Sequence, residues 1–318
     1  MGAPSRPRFG SLQYWPRKRA SKFLPRVNWS TMTSKADNSI LGFITYKVGM
    51  STAIVKDDTA NSMTKGKKVA VPVTILEAPN MKILSVRFYK NNLPVSDVVV
   101  SNDPILKKVV KNAKQVKSLD SSTPKDFDDI HLIVYSISSQ TSVKKTPDVS
   151  EINVSGADAA KKLEYVKSLV GKEISIKDFL NKVELFDARG LTKGKGLVGP
   201  IKRFGLSLKS HKSEKGQRRP GSLGPWHPAR VTFRAPMAGQ LGMFSRVTNN
   251  LKLITSGNIK EKNINPSSGF NNYGNIQSNY IIVKGSVQGP HKRQILLTPP
   301  QRPSRLREKT KYEFLNLA

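Results

Sequence analysis

Apolar positions change texture along this chain. From Gly42 to Tyr89 they form short β-branched and aromatic runs. Gly42-Phe43-Ile44-Thr45-Tyr46-Lys47-Val48-Gly49-Met50 leads into Ala53-Ile54-Val55, then come Val69 to Leu76 and Ile83 to Tyr89. Runs of this length and composition predict strands, and Pro79-Asn80 marks a turn between the last two. Close strand spacing with glycine kinks predicts a small barrel. Beyond residue 90 the text alternates. Pro104 to Lys114 predicts a short helix, and Ile130 to Ile137 a buried strand. Ser155-Gly156-Ala157-Asp158 reads as a capping-type start. Ala159, Leu163, Val166 and Val170 then share one helical face, and Gly171 is placed to end the helix. Val183-Glu184-Leu185-Phe186, Leu251 to Ile254 and Tyr280 to Val283 predict further strands, with Asn/Gly/Ser-rich turns from Asn263 to Asn279. No segment repeats. The expected fold is mainly β with an α/β insertion.

Charge changes the picture. The 318 residues carry a formal net charge of +32, from 54 Lys+Arg against 22 Asp+Glu. Self-repulsion at that excess calls for a polyanionic partner, and a pI above about 9 is a first footprint of nucleic-acid binding. The excess is unevenly placed. Residues 1–38 read as an extended arm: Arg6, Arg8, Arg17, Lys18 and Arg19 meet no carboxylate before Asp37, and Pro4, Pro7, Pro16 and Pro25 oppose regular structure. Tyr14 and Trp15 stand among these charges, where aromatics can stack on bases. Residues 91–182 hold most of the acidic side chains and read as a near-balanced insertion, less involved with nucleic acid. Past Asp187 the chain turns glycine-rich and basic: Lys193, Lys195, Lys202, Arg203, Lys209, Lys212, Lys215, Arg218, Arg219, Arg230 and Arg234 face only Glu214. A glycine backbone can approach RNA closely, and so long a loop is functional or disordered. Residues 286–318, with Lys292 and Arg293, read as a second basic extension. The expected division is therefore an arm (1–38), a discontinuous barrel (39–90 and 183–285) carrying a loop from about 190 to 246, an insertion (91–182) and a tail (286–318). The arm, loop and tail are expected to be largely disordered without RNA, for want of apolar residues to bury.

Candidate chemistry narrows the function classes. With no cysteine, disulfides, thiolate zinc sites and Cys nucleophiles are excluded. His131, His211, His227 and His291 share no ligand spacing. No apolar run approaches the roughly 18 residues of a membrane span. Gly194-Lys195-Gly196-Leu197-Val198-Gly199 spells a dinucleotide fingerprint, which also needs a helix opening at the glycines and an acid ending the next strand. The only acid at a suitable distance, Glu214, lies within Lys212-Ser213-Glu214-Lys215-Gly216-Gln217-Arg218-Arg219, which no buried strand end could be. No cofactor and no catalytic residue are expected; the serines around His211 and His227 fit phosphate and ribose contacts better. Trp226, flanked by Pro225, His227 and Pro228, admits two readings: a core anchor for the loop, or a stiff loop tip pressed on RNA. A DNA-compacting protein and a nucleotide-dependent enzyme are the competing classes.

Several stretches together resemble a known family. They are Gly42 to Met50, Arg189-Gly190-Leu191-Thr192-Lys193-Gly194-Lys195-Gly196, Ser207-Leu208-Lys209-Ser210-His211-Lys212, Gly224-Pro225-Trp226-His227-Pro228-Ala229-Arg230 and Ala238-Gly239-Gln240-Leu241-Gly242-Met243. The opening from Arg6 to Arg17 adds to them. With these the chain resembles the L-three family of large-subunit ribosomal proteins, in its archaeal and eukaryotic branch, nearly end to end. The resemblance implies a β-barrel of the translation-protein type with an inserted α/β unit, and no enzymatic activity. It implies an arm and a Trp226-bearing loop that reach into ribosomal RNA toward the peptidyl transferase centre, with His227 and Arg230 beside the tip. It also implies a part in subunit assembly, partners that are large-subunit ribosomal RNA and neighbouring ribosomal proteins, and a place in the cytoplasmic ribosome. No membrane, small-molecule substrate or homo-oligomer is expected.

Overall fold

The computed structural model of the chain describes residues 13–32, 39–110, 116–124, 126–156, 158–180 and 184–318. In chain order its strands are β1 (Phe43–Asp57), β2 (Lys68–Ala78), β3 (Met81–Lys90), β4 (Leu93–Val99), β5 (Asp129–Ser136), β6 (Val149–Asn153), β7 (Leu185–Leu191), β8 (Gly196–Val198), β9 (Gly239–Leu241), β10 (Ser245–Asn258), β11 (Asn279–Lys284), β12 (Gln294–Thr298) and β13 (Tyr312–Leu317). The helices are short: α1 (Leu119–Ser122), α2 (Ala159–Leu169), α3 (Ile176–Leu180), α4 (Pro200–Phe204) and α5 (Arg305–Lys309). The fold is thus mainly β. Two units divide the chain: Met1–Lys22 with Leu191–Ser245, and Phe23–Gly190 with Arg246–Ala318.

The larger unit carries two sheets. Seven strands run in the order β12-β7-β10-β11-β2-β1-β13, and β12 also pairs with β1. That extra ladder, Phe43↔Leu297 to Tyr46↔Gln294, closes a cycle of pairings through six strands. β13 is added to the far half of β1, from Ala53↔Leu317 to Asp57↔Tyr312. Much of β2, β7, β11 and β12 is buried on both faces. On β11, Ile281 and Val283 join one core cluster while Tyr280 and Ile282 join another. Two-faced burial explains why these strands read as continuous apolar runs rather than as alternation.

β4, β3, β5 and β6 form the second sheet. Its buried residues Ile83, Val86, Phe88, Leu132 and Val134 share a cluster with Phe43, Ile44 and Leu76 of the first sheet. β3 therefore leaves the strands it follows in sequence and pairs with β4 and β5. On α2, Val166 is buried and Leu163 and Val170 pack against the same cluster, as the helical face predicted, with Gly171 at φ +78° just past its end. Asp158 is the N-cap but makes no side-chain cap bond; the Ser155 hydroxyl instead accepts from the Ser39 amide at 2.8 Å. The predicted helix from Pro104 is a single 3-10 stretch ending at Lys108, and residues 111–115 lie outside the described residues, as does Val183 at the predicted start of β7.

Two expectations fail in this unit, for one reason. The predicted basic tail contains β12, whose Ile295, Leu296, Leu297 and Thr298 are fully buried between β1 and β7, and it ends in β13. Likewise the arm reaches only partway: Leu24, Trp29 and Met32 are buried in the main cluster. Net charge averages over a segment, whereas a strand needs only four or five apolar residues to bury. Gly42 shows how closely Trp29 is seated: a Cβ there would lie 3.1 Å from Trp29 Cη2 and 3.1 Å from Ile152 Cγ2.

Candidate nucleic-acid interface

The smaller unit is built from the base outward. The Thr192 amide donates to the Phe244 carbonyl at 3.0 Å and the Lys195 amide to the Leu241 carbonyl at 3.0 Å. β8 and β9 then pair antiparallel, from Gly196↔Leu241 to Val198↔Gly239. The glycine string of the sequence is therefore one strand of a two-stranded ladder, not the turn of a strand–helix nucleotide fold. Gly242, at φ +76°, closes this base, and a Cβ there would collide with the Lys193 carbonyl. Pro200 opens α4, and Gly205 at φ 64° ends it in the left-handed conformation.

One small apolar cluster holds the arm to this base. Trp15 stacks on Phe204 with ring centroids 6.1 Å apart and 14° between planes, and meets Phe233 edge-on at 5.4 Å. The Arg17 guanidinium lies 4.6 Å from the Phe204 centroid and 5.1 Å from that of Trp15, a cation–π arrangement. The Ala20 amide donates to the Met243 carbonyl at 2.9 Å. Arg203 is a structural clamp: Nε donates to the Gln240 carbonyl at 3.1 Å and Nη1 to the Met237 carbonyl at 3.0 Å. Burial lowers its pKa, yet a guanidinium stays charged in proteins. Gly239 leaves it room, since a Cβ there would sit 2.7 Å from Arg203 Nη1.

Beyond this base the loop is held by local bonds such as Lys209 N–H to the Gln217 carbonyl at 3.1 Å and Ser213 N–H to the Ser210 carbonyl at 3.0 Å. Lys193, Lys195, Lys202, Lys209, His211, Lys212, Lys215, Arg218, Arg219, His227, Arg230 and Arg234 are all exposed, as are Tyr14, Lys18 and Arg19. Trp226 is 86% exposed, so it is a loop residue facing outward and not a core anchor. Five further apolar side chains stand exposed in the loop of the same unit: Leu197, Leu208, Val231, Phe233 and Met237. They carried no signal in the sequence, because isolated apolar residues in a basic, glycine-rich segment have no period. A surface that joins exposed cations with exposed aromatic and aliphatic groups can neutralise phosphates and stack on bases at once.

In the larger unit, Lys292 is exposed at φ 64°, and the Arg293 guanidinium lies 5.1 Å from the Phe23 ring centroid. Arg6 and Arg8 lie outside the described residues. The insertion is chemically different. His131 bridges two carboxylates, Glu151 at 2.8 Å through Nδ1 and Asp129 at 3.4 Å through Nε2, and Lys162 reaches Asp129 at 2.6 Å. Burial opposes the charged imidazole, but the hydrogen bonds and charges of Asp129 and Glu151 outweigh it and raise the His131 pKa. The His131 hydrogen bond is in turn the main cause that draws the Glu151 carboxyl down to about 2. These acids are occupied by internal cations.

Known proteins are similar to this chain along nearly its whole length. The family described as Ribosomal protein L3 matches residues 1–95 and 105–316. Among curated proteins, the large ribosomal subunit protein uL3 of Methanococcoides burtonii is 38% identical over 320 residues, covering 95% of this chain and 94% of the relative. The proteins of the same name from Methanocaldococcus jannaschii and Methanosphaera stadtmanae are 37% and 38% identical, over 94% and 92% of this chain and 92% and 90% of theirs.

Proposed function

The chain belongs to the Ribosomal protein L3 family, a non-enzymatic constituent of the large ribosomal subunit in the cytoplasm, and from that premise we propose that it binds and stabilises large-subunit ribosomal RNA through its arm and its long basic loop. The observation that carries the proposal is Trp226, 86% exposed in a loop whose only carboxylate between residues 191 and 245 is Glu214. An indole this exposed buries little against its own chain, and the charged residues nearest it in sequence are cationic. Lysines and arginines replace counterions around crowded phosphates, while Trp226, Tyr14 and the exposed loop aliphatics meet unpaired bases. The arm and the Trp226 tip reach toward the peptidyl transferase centre, where they support the RNA that does the chemistry, and this contributes to subunit assembly. The six-strand cycle of pairings is a barrel of the translation-protein type, and the near-balanced insertion from about residue 91 to 182 faces neighbouring proteins. Apart from Arg203, which clamps the loop base, the basic residues named from the sequence, Lys292 and Arg293 included, supply the phosphate contacts.

Cosedimentation through a sucrose gradient and a high-salt wash tests this reading. Retention on the large subunit through the wash is the expected result. Release with the steep salt dependence of a surface-bound polycation, about 10³–10⁵-fold between 50 and 200 mM salt, would replace it with a general polyanion binder.

A further inference from the structure

The larger unit holds a cavity of about 810 Å³ between the middle of β1, the β10–β11 connection and β13. Nothing in the arm-and-loop reading uses it. Its wall is preformed. Glu77, fully buried, accepts hydrogen bonds from the Gln277 amide at 2.8 Å, the Ser278 amide at 3.0 Å and the Tyr273 hydroxyl. Asn265 then exchanges two hydrogen bonds with the Ile276 backbone, at 3.1 and 3.0 Å. These bonds fix the connection that carries Phe270, Asn271 and Asn272 into the cavity lining.

The lining has a definite chemistry. It contains no acidic side chain. It presents two rings, Phe270 and Phe314, and the ammonium of Lys262 is held 4.6 Å from the Phe314 centroid. The side-chain amides of Asn271, Asn272 and Asn316 make no hydrogen bond among the described residues, so their donors and acceptors are available. Aromatic faces, unpaired amides and one cation are what an unstacked nucleotide requires: a surface for the base, partners for its edge and a charge for its phosphate. Cavities of about 300–1,000 Å³ suit ligands of that size.

We propose that this cavity receives one unpaired nucleotide of the RNA the protein binds, as a second RNA site on the folded body. The proposal rests on the RNA-binding reading above. The test is zero-length photocrosslinking of large subunits whose RNA carries 4-thiouridine and 6-thioguanosine, with adducts mapped by mass spectrometry. Adducts are expected in residues 262–272 or 312–318. They fall about tenfold in Lys262→Ala/Asn271→Ala, a contact loss of modest size, while adducts in residues 191–245 stay unchanged. Both substituted side chains are exposed, so the fold is undisturbed. Adducts in the loop with none in the cavity peptides overturn the cavity proposal and leave the RNA-binding reading standing; no adducts anywhere overturn both. Labelling of the cavity only by free thio-nucleotide added to washed subunits makes the occupant a free nucleotide, and a chemical crosslink from Lys262 to another protein without nucleotide adducts makes it a peptide. Either result also overturns the proposal.

Discussion

Trp226 and His131 mark two kinds of residue in this molecule, one spent on the outside and one on the inside. Trp226 packs on little of its own chain. Trp226→Ala should therefore leave the urea midpoint of the free protein unchanged within about 0.5 kcal/mol while weakening RNA binding by about 1–3 kcal/mol. A fall in midpoint with unaltered affinity would mean that the indole is structural after all. His131 is the reverse case. Its raised pKa gives stability that is complete below the unfolded value of about 6.5 and is lost as pH rises through the folded one. Glu151, drawn down to about 2, contributes above its unfolded value of about 4.3 and loses that contribution as pH falls through about 2. The pair is thus most stabilising between about pH 4.3 and 6.5. The midpoint difference between wild type and His131→Asn should be larger near pH 5.5 than near pH 9, by about the linkage of one proton; equal differences would argue for a neutral bridge.

At the scale of elements, the C-terminal segment and the loop base show what short apolar runs can do inside basic text. β12 is fully buried from Ile295 to Thr298 and pairs on both sides, with β1 and β7. Leu296→Ala should cost about 2–5 kcal/mol, the range for truncating a buried leucine, read as a lower urea midpoint. A disordered tail would give no change. The loop base uses other means: a two-stranded ladder, the Arg203 clamp and the Trp15–Phe204–Phe233 cluster. These parts are few because the unit has little apolar surface to bury. Among the residues from 206 to 238, local turns replace ladders. The burial of Trp29 and the exposure of Trp226 also show that aromatic residues amid basic text divide between two fates, and that sequence spacing does not distinguish them.

For the whole molecule, the controlling quantity is a net charge of +32 over 318 residues. Without RNA those charges repel one another, so added salt should raise the melting temperature of the free protein by screening; a melting temperature that fell with salt would mean that internal ion pairs outweigh the repulsion. The sequence by itself determined the positive excess that calls for a polyanionic partner, because charge is a sum over residues and needs no geometry. It also determined the strand-rich class and the boundaries of β1, β2, β3 and β5 to within a few residues, because β-branched runs bounded by turn residues are local signals. The basic, glycine-rich loop was legible for the same reason. Only the tertiary structure decided which strands share a sheet: β3 leaves β2 for β4 and β5, and β12 closes the cycle onto β1 across some 250 residues of sequence. It alone decided that Trp29 is core, that Trp226 is surface and that the last segment is folded. It also brought Lys262, Phe270 and Phe314 to one cavity. Each of these depends on pairing and burial between residues far apart in the chain, which no local pattern encodes.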